Sequence, residues 1–168
     1  MKFRVAVLAI FILVAVEAQG LAAAPGPAAA PSEAVSPRGF ALGVFLGEPT
    51  GISARWGFAG EQSLEGKAAW SFSTADGHSA NFIFQGNYLL EIPGILAIQG
   101  EHFPLYFGLG AETRLGSDFN LSLRVPGGVI YRFRTVPIEA CLELGIGLEL
   151  YPSTVLVGSG GLGLRYRF

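Results

Sequence analysis

A chain of 168 residues that is 51% hydrophobic and only 14% charged, with a formal net charge of −2, is apolar for a soluble domain, where charged residues average about a quarter. That balance offers no basic stripe for nucleic acid and no acidic tail, and a single cysteine, Cys141, excludes an intramolecular disulfide. Beyond the N-terminus no stretch approaches the roughly 20 uninterrupted apolar residues of a membrane helix, so any further membrane crossing falls to strands.

The opening MKFRVAVLAIFILVAVEAQG places Lys2 and Arg4 before an apolar run from Val5 to Val16, followed by small residues that suit cleavage after Ala18 or as late as Ala24. Residues 1–18 therefore read as an export signal. A retained anchor helix is the competing reading, and the run is nearer twelve residues than twenty. Cys141 lies far from this segment, which leaves no cysteine to lipidate at the cleavage site. Residues 19–38, rich in Ala and Pro without an apolar period, form a leader outside the fold. Residues 39–168 remain for a folded domain.

From Gly39 onward, turn signals divide the sequence into eight segments of strand length, and in each the two parities differ in kind. FALGVFLG groups Phe40, Leu42, Val44 and Leu46. After EPTG, ISARWGF sets Ile52, Ala54, Trp56 and Phe58 against Ser53, Arg55 and Gly57. LEGKAAWSF sets Leu64, Gly66, Ala68, Trp70 and Phe72 against Glu65, Lys67, Ala69 and Ser71. ANFIFQGNYLLE sets Ala80, Phe82, Phe84, Gly86, Tyr88 and Leu90 against Asn81, Gln85, Asn87 and Glu91.

The second half continues the pattern. FPLYFGLGAETR opposes Phe103, Leu105, Phe107, Leu109 and Ala111 to Tyr106, Gly108, Gly110, Glu112 and Arg114; LSLRVPGGVIYRF opposes Leu121, Leu123, Val125, Val129, Tyr131 and Phe133 to Ser122, Arg124, Gly128 and Arg132. In PIEACLELGIGLELYP a helix at 100° per residue scatters the three glutamates, whereas a strand puts Glu139, Cys141, Glu143 and Glu149 on one face and only apolar residues on the other. VLVGSGGLGLRYRF opposes Leu156, Leu162, Leu164, Tyr166 and Phe168 to Ser159, Gly161, Gly163, Arg165 and Arg167.

One face thus collects Arg55, Glu65, Lys67, Glu91, Glu112, Arg114, Arg124, Arg132, Glu139, Glu143, Glu149, Arg165 and Arg167, and the other holds no charge. A single half-buried strand would allow the charges to face water. Eight in succession, keeping Phe, Trp, Leu and Val so exclusively to one side, match a membrane barrel whose outside meets hydrocarbon and whose inside is polar. The expected fold class is all-β: an eight-stranded antiparallel up-and-down transmembrane β-barrel with a polar, plugged lumen, because eight strands enclose only enough room for side chains. With both termini periplasmic, Phe40, Trp56, Phe58, Tyr88, Phe103, Tyr131, Phe133, Tyr166 and Phe168 would form an aromatic girdle at the inner rim, and Trp70, Phe72 and Phe82 would mark the outer one.

Reactive groups are sparse. GSGGLG, residues 158–163, satisfies a nucleotide-loop spacing but leads into a strand, leaving no helix N-terminus for a pyrophosphate. Asp76, His78 and Ser79 in TADGHS have the residue types of a hydrolytic triad, within one short turn that lacks a rigid frame. His102, in the longest connection, IPGILAIQGEH, has no second histidine or cysteine near it in sequence. No catalytic residue, metal site or cofactor is expected. The three glutamates of the seventh strand could instead line a proton or cation path, against the simpler reading of carboxylates paired with lumen arginines.

The motifs GEPTG (47–51), PLYFGLG (104–110), RVPGGVIYRF (124–133), PIEACLELGIGLELYPST (137–154) and GGLGLRYRF (160–168) resemble a family of small outer-membrane β-barrel proteins known chiefly from spirochaetes, of the OmpA/OmpX-type eight-stranded shape. The resemblance covers about residues 39–168. It implies a bacterial outer-membrane location and outer-membrane lipid as partner, and no settled activity. The closing alternation of Leu162, Leu164, Tyr166 and Phe168 resembles the terminal signal read by the barrel-assembly machinery. The leading expectation is a monomeric, non-catalytic barrel with a structural or surface-interaction role and no open pore. The alternatives are a barrel enzyme modifying envelope lipid and a soluble exported barrel binding an apolar ligand, whose apolar parity would have to face inward.

Overall fold

Alternation of apolar and polar residues becomes two faces when the backbone is extended, since successive side chains leave a strand on opposite sides. The computed structural model describes residues 38–71, 81–98, 101–116 and 119–168 and realises this eight times. The strands are β1 (Gly39–Glu48), β2 (Thr50–Ala59), β3 (Gln62–Ser71), β4 (Asn81–Ile98), β5 (Glu101–Leu115), β6 (Phe119–Arg132), β7 (Ile138–Tyr151) and β8 (Val155–Arg167). Each pairs antiparallel with its neighbour in sequence, and β8 returns to β1, closing an up-and-down barrel. Closure leaves no strand edge at the seam.

The pairing register fixes the barrel's pitch. A line of partners from Arg165 runs through Gly43, Ser53, Lys67, Gln85, Glu112, Ser122 and Glu149 and reaches β8 again at Val155, ten residues before its start. A shear of that size in eight strands inclines them by roughly 40° to the axis. Side chains close in sequence are therefore carried to different heights, and side chains far apart in sequence meet across the lumen.

Turn chemistry sets the ends. Between β1 and β2 only Pro49 intervenes, and the Thr50 hydroxyl donates to the Gly47 carbonyl at 2.9 Å while accepting from the Gly47 amide at 3.3 Å. At the other end of the barrel, where the described chain begins and finishes, the Glu91 amide donates to the Glu61 carbonyl at 2.8 Å, tying β4 to the β2–β3 turn. We call this the terminal end and the other the distal end. The β4–β5 connection differs from the loop expected over residues 92–102. The two strands resume pairing beyond an irregularity between Ile92 and Leu96, as far as Ile98 opposite Glu101. Pro93 and Gly94 fall within that irregularity, where proline's missing donor is tolerated.

The two faces separate cleanly. Outward residues such as Leu109, Leu144 and Leu156 are each about 70% exposed, while ten charged residues of the opposite parity are buried in the lumen. Rings on the outer wall gather at the terminal end in three groups: Phe168 with Phe40 (5.9 Å between centroids) and Tyr166 (5.1 Å), Phe58 with Trp56 (5.7 Å) and Tyr88 (6.4 Å), and Tyr131 with Phe103 (5.1 Å) and Phe133 (4.8 Å). The distal end carries Trp70, Phe82 and a Phe119–Tyr151 pair at 6.1 Å. Phe72 lies outside the described residues, as do residues 1–37 with the expected signal and most of the leader.

Candidate functional site in the barrel lumen

Inward parity alone makes the lumen polar, and shear decides which charges meet. Ten charged side chains are buried there among the described residues: Arg55, Lys67, Arg124, Arg132 and Arg165 against Glu65, Glu91, Glu112, Glu139 and Glu143. Burying an ion costs several kcal/mol unless it is paired and hydrogen-bonded, and equal numbers of each sign allow every one of these to be paired.

Towards the terminal end, Glu139 is the hub. It accepts from Arg55 through Nε (3.0 Å) and Nη2 (2.5 Å) and from Arg165 Nη1 (3.1 Å), with Arg132 Nε 3.6 Å away. Glu91 accepts from Arg55 Nη1, and Arg132 Nη2 donates to both its oxygens at 2.7 Å. Arg165 also donates from Nε to Ser53 Oγ at 2.9 Å and from Nη2 to Glu65. These contacts join β2 to β7, β4 to β6 and β3 to β8, and so cross the barrel rather than follow the sheet.

Glu65 and Lys67 link this cluster to a second one nearer the distal end. Lys67 Nζ lies 3.1 Å from Glu65 and 2.6 Å from Glu143, and stands 4.1 Å from the centre of the Phe45 ring. Glu143 also accepts from Arg124 Nη2 (2.9 Å) and from the Tyr106 hydroxyl (2.9 Å). Glu112 accepts from Gln85 Nε2 (2.6 Å) and Arg114 Nε (2.8 Å), and Asn87 donates to Glu65 at 2.9 Å.

Of the thirteen charged residues expected in the lumen, two stand outside this pairing. Among the described residues Glu149, which faces the lumen near the distal mouth, has no ion pair, and Arg167, near the terminal mouth, reaches the Phe133 carbonyl at 3.2 Å but no carboxylate. The charge census could not reveal this, since parity assigns a side without assigning a height.

The lumen also contains apolar groups. Tyr106 and Cys141 lie inward as their parity predicts, and they form a buried cluster with Leu89 and Ile130; Phe45 and Ile83 are buried as well. Leu89, Ile130, Phe45 and Ile83 have the inward parity of their strands, so alternation places them inside although their residue types suggest otherwise. Neighbouring backbone and rings together leave no room for a side chain at two inward glycines. A Cβ on Gly128 would collide with the Leu142 carbonyl oxygen and stand 2.8 Å from the Tyr106 ring, and one on Gly161 would collide with the Leu46 carbonyl oxygen and stand 2.8 Å from the Phe45 ring. All of these are closer than packing allows, so only glycine fits.

Asp76, His78 and Ser79 lie outside the described residues, and His102 falls within β5. GSGGLG is part of β8, as expected of a strand. No group of three His, Cys, Asp or Glu side chains among the described residues is arranged to hold a metal ion. Comparison of the chain with protein-family models, with curated proteins and with solved structures gives no match.

Proposed function

We propose that the chain is a small integral outer-membrane protein of a bacterial envelope, exported by a cleaved signal peptide, whose barrel forms a packed, non-catalytic structural or surface-interaction element. The observation that carries this reading is the inversion of the usual protein. Phe, Leu, Val and Trp are exposed around the outer wall, and Arg and Glu are buried within. In water, contiguous apolar patches beyond a few hundred Å² are rare, whereas hydrocarbon favours such a wall and penalises any unpaired edge.

Dimensions agree with a bilayer. The shortest strands have 10 residues; at roughly 3.3 Å per residue and 40° of tilt this gives about 25 Å, the height of an outer-membrane apolar band. The terminal-end ring of aromatics suits the headgroup level of the periplasmic leaflet, with the distal turns outside. Ion pairs crossing from β2 to β7 and from β3 to β8 favour a filled lumen over an open pore.

The reading is tested by fractionation and gel mobility of the expressed chain. It should sediment with outer membranes and run faster before boiling than after, since a closed barrel resists detergent until heated. Recovery from the soluble periplasm would refute it. Deletion should alter envelope permeability; altered lipid acyl chains would instead point to a barrel enzyme.

A further inference from the structure

The lumen's pairing leaves Arg167, at the terminal mouth, without an ion pair among the described residues. Arg55, Arg132 and Arg165 share Glu65, Glu91 and Glu139, whereas Arg167, the next inward position on β8, donates to the neutral Phe133 carbonyl. Arg132 and Arg55 repel its charge and Glu139 attracts it. Its Nε is buried without an acceptor among the described residues, and the Nε of Arg132 has no hydrogen bond either, with Glu139 3.6 Å away.

Arg167 is held at the opening by its backbone amide, which donates to the Pro137 carbonyl at 2.7 Å, and its side chain is half-buried and so reachable from the mouth. Guanidiniums crowded together in a partly dehydrated site repel one another, and an oxyanion reverses the sign of that interaction while accepting the idle N–H groups. Arg132 and Arg167 project from β6 and β8, with β7 between them. Donors arriving from separate strands suit a tetrahedral oxyanion better than a flat carboxylate, which matches one guanidinium fork.

We infer that Arg167, with Arg132, forms a phosphate-binding site at the terminal mouth of the barrel. The occupant is either free phosphate or the phosphate of a lipid headgroup at that end. The site does not depend on the membrane reading, because free phosphate can be supplied in detergent.

The test uses the mature chain folded in a maltoside detergent, which carries no phosphate. Inorganic phosphate is titrated against sodium chloride of equal ionic strength while thermal unfolding is followed by tryptophan fluorescence. Phosphate should raise the midpoint of the wild type above the chloride control. Arg167→Gln should weaken half-saturation by about tenfold or more. Arg114→Gln, which removes a cation paired with Glu112 near the other end, should leave it unchanged. Should the glutamine variant not fold, Arg167→Lys keeps the charge, loses the fork and should also bind more weakly. A wild type indifferent to phosphate, or an Arg167 variant with unchanged half-saturation, overturns the proposal. In vesicles containing phosphatidylglycerol, loss of the response to added phosphate would identify the lipid headgroup as occupant, and its retention the free anion, both with the site upheld.

Discussion

Replacing Glu139 by glutamine is the most informative perturbation of the lumen. The carboxylate is fully buried and takes three hydrogen bonds from two guanidiniums. Glutamine retains the shape but removes the charge, and it turns one acceptor oxygen into an amide that points N–H groups at N–H groups. Arg55 would keep Glu91 and Arg165 would keep Glu65, so neither cation is fully stranded. Removing one member of a buried pair costs about 3–5 kcal/mol, and the remaining partners place this case toward the lower figure. With a denaturant slope of about 1–3 kcal/mol/M, the urea midpoint should fall by about 1 M or more. Glu149→Gln is the internal control, since Glu149 faces the same lumen without an ion pair, and its change should stay within about 0.5 kcal/mol. Both variants are unfolded in urea from the same vesicles and followed by tryptophan fluorescence. Equal midpoints for the two would refute the view that the network holds the barrel together.

Cys141 is buried beside Leu89 and Ile130, so a membrane-impermeant maleimide should label it slowly in the folded protein and rapidly in urea; fast labelling of the folded form would contradict the filled lumen. Leu144→Arg puts a guanidinium on the outer wall, where the native side chain is 71% exposed, and should cost about 2–4 kcal/mol at the bilayer midplane and impair insertion. Glu143→Gln, one residue earlier but inward, should lower stability while leaving insertion into liposomes intact. Insertion yields that respond to both changes alike would contradict the assignment of faces.

Much of this architecture is legible because a strand has a period of two and the solvent on each side selects residue type. Glu139, Cys141 and Glu143 fall inward by counting alone. What cannot be counted is height around a sheared barrel. Nothing in the spacing of Arg55 and Glu139 shows that they touch, or that Arg167 is left with a carbonyl. Inward apolar residues were hidden for a different reason. Ile83 and Leu89 share a strand with Gln85 and Glu91, and their chemistry suits either side of the wall, so only close packing against neighbours identifies their role. In IPGIL, proline and glycine resemble a turn, although in the structure they interrupt a hairpin that resumes at Leu96.

Everything turns on which face meets hydrocarbon, and the two tryptophans report it. Trp56 lies on the outer wall toward the terminal end and Trp70 toward the distal end, 54% and 41% exposed. In vesicles whose acyl chains carry bromine, both should be quenched relative to unbrominated lipid, and Trp56→Phe or Trp70→Phe alone should leave the remaining one quenched. Fluorescence indifferent to bromination in folded, reconstituted protein would show that the apolar face is turned away from lipid and would contradict the account.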